Sequence, residues 1–114
     1  MQEGVLMVTQ FKKGVLELCV LSLISKKDFY GYEIVEVISR AIEVSEGTIY
    51  PLLRRLITEK YCTTYLKESS EGPPRKYYSI SDTGLERFET LKTEWNNFSK
   101  QVDYIINLDI TKGE

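Results

Sequence analysis

The chain has 114 residues, of which 42% are hydrophobic and 28% charged, and its 15 basic and 17 acidic side chains leave a net charge of −2. This composition fits one globular domain, while the absence of histidine excludes a Ser-His triad, a histidine general base and a His-ligated zinc. Because two cysteines cannot hold a structural zinc alone and no glycine-rich phosphate loop occurs, we expect a binding protein without metal or cofactor rather than an enzyme.

The first predicted helix spans residues 12–26 and is apolar on nearly every side. Its apolar run, residues 14–24, resembles the core of a signal peptide, but Glu17 interrupts it and no cleavage site follows. Since the run is also shorter than the roughly 20 residues of a membrane span, we expect a buried helix in a cytoplasmic protein. Cys19 and Cys62 are expected to be reduced thiols that act as small apolar side chains, with a disulfide between them as the alternative.

The second predicted helix, residues 30–42, is amphipathic. Ile34, Ile38 and Ala41 fall on one stripe, and the charged side chains fall on the other side. Gly31 lies between two tyrosines at its start, a pattern that favours a close approach of two chain segments in the core over a contact with a ligand.

The third predicted helix begins after Ser45, a residue type that caps helices, and ends near residue 60. Its predicted buried stripe comprises Ile49, Leu52, Leu53 and Leu56. Pro51 lies inside this helix, and because proline lacks the N–H group and crowds the preceding turn, a helix that starts at Pro51 is the alternative. We keep the earlier start and expect an irregular first turn.

A β-hairpin is predicted next. Residues 61–67 and 75–80 are rich in β-branched and aromatic side chains, and the turn formers ESSEGPP separate them. We expect a long, exposed tip, in which Pro73 and Pro74 provide stiffness and prevent edge-to-edge pairing.

A long final helix follows, capped by Ser81 or Thr83 and running to about residue 110, with residues 111–114 as a frayed tail. Apolar residues recur along it at spacings of three and four, as in a heptad seam. The seam comprises Phe88, Leu91, Trp95, Phe98, Val102 and Ile105. A small domain cannot cover such a seam by itself.

Three helices followed by a hairpin form the winged helix-turn-helix arrangement, so the expected fold class is α+β, mostly α, with a long C-terminal helix. The net charge is −1 over residues 1–45, +2 over 46–80 and −3 over 81–114. A local basic face suffices for binding nucleic acid, but a bias of this size is also common on ordinary solvated surfaces.

Four motifs, in this order and spacing, resemble the PadR family of bacterial transcriptional regulators: GVLELCVLSLI, YGYEI, SEGTIYPLLRRL and GPPRKYYSISDTG. The resemblance covers about residues 11–85, and the single C-terminal helix is similar to the compact branch of the family. It implies a homodimeric winged-helix repressor, with residues 1–80 as the DNA-binding domain and 81–110 as the dimerisation helix. It also supports Pro51 as part of the recognition helix. Glu46 replaces the proline of many relatives, and we expect it to point away from phosphates or to tune base preference.

The partners implied by the resemblance are a second copy of the chain and double-stranded DNA with a palindromic operator. The predicted hairpin, residues 61–80, is the wing of such a domain. The residues expected to contact this DNA lie on the third helix or flank the tip of the wing: Thr48, Tyr50, Arg54, Arg55, Lys67, Arg75 and Lys76. Without the resemblance, a solvated helix face and lysines that protect a strand edge would explain the same residues. Tyr77 and Tyr78 point to opposite faces of their strand, so one packs inward and the other lies on the DNA side.

The seam of the last helix is the expected dimer interface. Trp95 serves there either as an anchor alone or as an anchor that also contacts a flat aromatic effector together with Phe98 and Phe88. The second possibility follows from the resemblance, since some compact members of the PadR family bind an effector at the dimer interface. The wide apolar surface of the first helix favours its joining the interface.

The leading functional hypothesis is a DNA-binding repressor that an effector releases from its operator. Two alternatives remain open at this point. One is a winged-helix module that binds protein, and the other is a small-molecule-binding protein without a DNA role. No membrane partner is expected.

Overall fold

Three helices, a β-hairpin and a long last helix follow one another in the predicted order. The computed structural model describes the backbone of residues 2–112 and the side chains of residues 14–111. The elements are α1 (Gln2–Lys26), β1 (Phe29–Tyr30), α2 (Gly31–Ser39), α3 (Glu46–Thr58), β2 (Cys62–Ser69), β3 (Gly72–Ile80), α4 (Asp82–Ile106) and a short 3-10 helix (Ile110–Lys112). The sheet is antiparallel with strand order β1-β3-β2. The expected α+β winged helix-turn-helix fold is confirmed.

The core lies between α1, α2, α3 and one face of the sheet. Its buried side chains are Leu16, Val20, Leu21, Ile24, Phe29, Ile34, Val35, Ile38, Ile49, Leu53, Leu56, Cys62 and Tyr78. Burial of these apolar side chains supplies the main favourable term of folding. Both cysteines are free thiols, as expected, and burial raises the pKa of Cys62 to about 11. None of the helices in the described part of the chain has the length and apolarity needed to cross a bilayer.

The first two helices differ from their predicted bounds. The helix predicted from residue 12 begins at Gln2. The helix predicted over 30–42 is too long at both ends, because Tyr30 pairs with Tyr77 in the sheet and the helix ends at Ser39. Ala41 lies beyond that end and is exposed, so its predicted place on the buried stripe is wrong. Two residues are too few to show a strand pattern, and β1 exists only because β3 offers it hydrogen-bond partners.

The third helix starts directly after Ser45 and contains Pro51, as predicted. The Ser45 hydroxyl makes no capping hydrogen bond. Instead the Ser45 carbonyl accepts hydrogen bonds from the N–H groups of Thr48 (3.1 Å) and Ile49 (3.2 Å), and the first of these is the short-range bond of an irregular first turn. Leu52 is half-buried rather than buried.

The end of α3 comes at Thr58 instead of residue 60. Lys60 adopts the left-handed conformation with φ 65°, and its N–H donates to the Ile57 carbonyl. The N–H of Tyr61 donates to the Leu56 carbonyl. These two bonds form a Schellman motif, which stops the helix and turns the chain into β2.

The hairpin is tighter than predicted. Its strands extend to Ser69 and Gly72, so the expected seven-residue tip is reduced to a two-residue turn. Pro73 and Pro74 therefore lie within β3, where the pairing register shifts between Lys67 and Ser69. Such a bulge interrupts the hydrogen-bond ladder, which is why two residues without N–H groups are tolerated there.

Ser81 is the cap of α4, since its hydroxyl accepts a hydrogen bond from Gly84 N at 3.0 Å. The hydroxyl of Thr83, the other candidate, donates to the Lys60 carbonyl instead. The helix ends at Ile106, short of the predicted residue 110. Of the predicted frayed tail, residues 111 and 112 belong to the short 3-10 helix, and residues 113 and 114 lie outside the described residues.

Candidate DNA interface

Helix α3, the expected recognition helix, has one buried and one exposed face. Ile49 and Leu53 are fully buried, whereas Thr48 and Arg54 are exposed and Tyr50 is half-buried. The structure thus places these three predicted site residues away from the buried stripe, where they are open to a partner.

Tyr50 is held against the start of α2. A Cβ atom on Gly31 would lie 2.9 Å from the Tyr50 Cε1 atom, so a larger residue at this position would displace the Tyr50 ring. The predicted close approach at Gly31 is observed, with the Tyr50 ring of α3 as the partner. Burial raises the pKa of the Tyr50 hydroxyl, and the nearby Glu46 and Tyr32 add to the shift. The hydroxyl therefore stays protonated at neutral pH and can donate a hydrogen bond.

The wing and the recognition helix enclose an open cleft of about 400 Å³. Tyr32, Tyr50, Arg75 and Lys76 are among the residues that line it. The cleft brings one polar side chain of α3 together with two of the predicted wing cations, although they are about 25 residues apart in sequence. Polar side chains of α3 and of the wing therefore face the same cleft.

The wing cations lie on two faces of the sheet, because successive side chains of a strand alternate. Lys76 approaches the ring of Tyr78, which is only 4% exposed and packs inward. Arg75 lies over the ring of Tyr30 at 4.6 Å, and Lys67 lies over the ring of Tyr77 at 5.5 Å. Of the two tyrosines predicted to face opposite sides, Tyr78 therefore packs into the core. Tyr77 lies on the outer face, where its ring stacks on that of Tyr65.

Arg55 does not join the other cations. Its Nη2 donates to Glu17 Oε1 at 3.0 Å and its Nη1 donates to Glu59 Oε1 at 2.8 Å. Both carboxylates belong to this chain, so the guanidinium is engaged in an internal network on the side of α3 that faces α1.

Glu17, at the centre of that network, is a residue whose role sequence reasoning missed. It is 8% exposed, and its second oxygen accepts a hydrogen bond from Arg87 Nε at 2.8 Å. Burial opposes the charge, but the hydrogen bonds and positive charges of Arg87 and Arg55 outweigh it and hold the pKa of Glu17 below its ordinary value. An acidic residue inside an apolar run signals a buried partner, but the identity of the partner depends on tertiary structure.

This lowered pKa predicts a pH-dependent contribution to stability. Since Glu17 binds its proton more weakly in the folded chain than in the unfolded chain, its contribution is present at neutral pH and is lost as the pH falls below about 4. Glu17→Gln should therefore lower the free energy of unfolding at pH 7 and have a much smaller effect at pH 3, as measured by urea titration. An effect of equal size at both pH values would contradict this assignment.

The predicted seam on α4 divides into two parts. Phe88 and Leu91 are half-buried against the core. The remaining side chains are substantially exposed: Trp95 at 46%, Phe98 at 56%, Val102 at 38% and Ile105 at 64%. An apolar stripe of this kind on a monomer is typical of an interaction surface.

The three predicted effector residues do not share one groove. Trp95 and Phe98 line a groove of about 240 Å³ between α1 and α4, together with Val15 and Leu18. Phe88 lines a different, mostly apolar groove of about 540 Å³ between α1, α2 and α4.

Among the described side chains, no cluster of three or more carboxylates and thiols is placed to hold a metal ion.

Comparison with known proteins gives consistent matches. Residues 20–90 match the model of the transcriptional regulator PadR-like family. A PadR-like transcriptional regulator from Bacillus cereus is 45% identical, with 88% of this chain and 99% of that chain covered and a TM-score of 0.81. A Streptococcus transcriptional regulator is 39% identical, with 86% and 98% covered and a TM-score of 0.79. An uncharacterized protein from Lysinibacillus sphaericus is 34% identical over 80% of this chain and 87% of its own length.

Proposed function

This chain belongs to the PadR-like family of transcriptional regulators and is a DNA-binding regulator, and we propose that it acts as a homodimeric repressor of a palindromic operator. The observation that carries the proposal is that Tyr50 of α3 and Lys76 of the wing line one cleft, while Thr48 and Arg54 of the same helix are exposed. Residues 1–80 serve as the DNA-binding domain and residues 81–110 as the dimerisation helix. The protein works in the cytoplasm, where operator DNA is found, and has no catalytic role.

The exposed face of α3 enters the major groove. Thr48 and the protonated hydroxyl of Tyr50 contact phosphate or base edges, and Arg54 reads a base. Arg55 is left out of the DNA contacts, since two carboxylates of the same chain already engage its guanidinium.

The wing supplies phosphate contacts. Lys76 and Arg75 act where they line the cleft with Tyr50, and Lys67 acts from the outer face of the sheet, where it lies over Tyr77. Such contacts position the protein on the duplex and carry no sequence information directly.

The exposed part of the seam mediates dimerisation. A two-fold dimer presents its recognition helices to half-sites about one helical turn, roughly 34 Å, apart. Because Val15 and Leu18 of α1 line a groove with Trp95 and Phe98, α1 contributes to the same interface. The groove also suits one edge of a flat aromatic effector, which would release the operator by favouring a dimer geometry with a different spacing.

The contacts with DNA are tested by two substitutions. Lys76→Ala should weaken binding by a similar factor on all sequences and reduce the slope of log affinity against log salt by about one. Arg54→Ala should weaken binding by about 1–3 kcal/mol and also relax sequence preference at one position of each half-site. Sites selected from random DNA by the wild-type protein provide the operator for gel-shift measurements at several salt concentrations.

Lys100→Ala is the matched control, because it removes an exposed lysine from α4 far along the chain from the wing. Its affinity should equal that of the wild type. If both Arg54→Ala and Lys76→Ala also bind as the wild type does, this surface is not the DNA interface.

A further inference from the structure

Glu17 connects three helices through one carboxylate. It lies on α1 and is the only charged side chain among residues 14–111 that is buried. One oxygen accepts from Arg55 on the recognition helix at 3.0 Å, and the other accepts from Arg87 on α4 at 2.8 Å. Hydrogen bonds between a carboxylate and guanidinium groups are short and directional, so the network constrains the relative orientation of α3 and α4.

The start of α4 is attached to the DNA-binding unit at a second point. Ser81 donates through its hydroxyl to the Lys60 carbonyl at 2.7 Å, and its N–H donates to the Tyr61 carbonyl at 3.0 Å. Gly84 packs against the same carbonyl of Tyr61. This attachment alone would act as a pivot about which α4 could swing.

Arg87 lies one helical turn beyond Gly84, so its bond to Glu17 is a second point of attachment along the axis of α4. Two points define a direction. Phe88 and Leu91 add apolar packing at the same level, but such packing is non-directional and tolerates small rotations. The ion-pair network is the directional part of the joint between α4 and the rest of the molecule.

We propose that Glu17 is a positioning residue for DNA binding, because by holding Arg55 and Arg87 together it sets the angle between α3 and α4. This inference rests on the proposed dimer, in which α4 joins the two copies. With α4 as the shared element, that angle in each protomer determines the separation and relative rotation of the two recognition helices. Glu17 therefore determines which half-site spacing the dimer accepts, without touching DNA.

The test uses the full chain and a series of operators. The half-site separation is changed by one or two base pairs in either direction, and each base pair moves a half-site by about 3.4 Å and turns it by roughly 35°. Glu17→Gln removes the charge that joins the two arginines while keeping the shape of the side chain. The wild-type protein should prefer one spacing, and Glu17→Gln should reduce that preference, as a ratio of affinities, by about fivefold or more.

Glu59→Gln is the matched control. It removes the other carboxylate that bonds to Arg55, but this one is exposed and belongs to the residue that caps the end of α3, four residues after Arg55. Its spacing preference should equal that of the wild type. If Glu17→Gln fails to fold, as judged by circular dichroism, then Arg87→Gln takes its place, since it breaks the link to α4 at a more exposed side chain.

The outcomes are distinct. A folded, dimeric Glu17→Gln or Arg87→Gln protein with the wild-type spacing preference overturns the positioning role while leaving the proposed function intact. Loss of preference in Glu59→Gln as well overturns it too, because the effect would then come from Arg55 alone. A wild-type protein that binds as a monomer or accepts all spacings overturns the proposed dimeric repressor, and the inference with it.

Discussion

Phe98→Asp is expected to convert the proposed dimer into monomers and to lower operator affinity by about 100-fold or more. Phe98 is 56% exposed in the single chain and lies between Trp95 and Val102 on the seam of α4. A carboxylate buried at that position on both sides of a two-fold axis is left without a partner, which costs several kcal/mol. A monomer engages only one half-site and loses the gain in affinity that comes from linking two binding events. Sedimentation equilibrium and gel-shift titration measure the two effects on the same samples.

Asn97→Asp is the control for added charge. It places the same carboxylate at the neighbouring residue, which is exposed and lies outside the seam. This variant should remain dimeric and bind DNA with an affinity within a factor of about two of the wild type at moderate salt. A dimeric Phe98→Asp protein would show that the exposed seam is not the interface.

Gly84→Ala is expected to lower the free energy of unfolding by about 3 kcal/mol, at the upper end of the range for overpacking. A Cβ atom at this position would overlap the Tyr61 carbonyl oxygen, a backbone atom that cannot move aside as a side chain could. Relief of the clash requires α4 to separate from the chain just before β2, where the hydroxyls of Ser81 and Thr83 both donate to the backbone carbonyl of Lys60. Urea unfolding followed by circular dichroism measures the loss.

Gly14→Ala is the matched control, since it makes the same change in α1 at a position without a close neighbour. Nothing lies within 4 Å of a Cβ atom at Gly14, and alanine is the better helix former. The substitution should raise the free energy of unfolding by about 0.5–1 kcal/mol. If Gly84→Ala is as stable as the wild type, the close approach of α4 to Tyr61 is not what holds the base of the wing.

Local sequence patterns were sufficient to predict the buried and exposed faces of α3 and α4. The spacing of Ile49, Leu53 and Leu56 identified the buried face of α3, and the exposed face with Arg54 followed from the same periodicity. The seam on α4 was identified in the same way, and its exposed part includes Trp95. Such features depend on residues three or four apart, so they are visible in sequence.

The hairpin tip was predicted wrongly and the strand at Tyr30 was missed for the same physical reason. The turn formers ESSEGPP predict a loop at the tip of the hairpin, whereas the strands extend through most of them and accommodate Pro73 and Pro74 at a bulge. The strand at Tyr30 carries no pattern of its own, because it depends entirely on pairing with Tyr77. In both cases pairing with a distant strand overrode the local preference.

The sequence by itself determined the order of the four helices and the hairpin, most of the buried face of α3 and, through four ordered motifs, the family. Tertiary structure alone decided that Arg55 binds Glu17 while Arg54 makes no such bond, and that Arg75 and Lys76 line one cleft with Tyr50. The bonds of Glu17 to Arg55 and Arg87 span 38 and 70 residues of chain. No periodicity encodes separations of that length, since they arise only when packing of the core brings α1, α3 and α4 together.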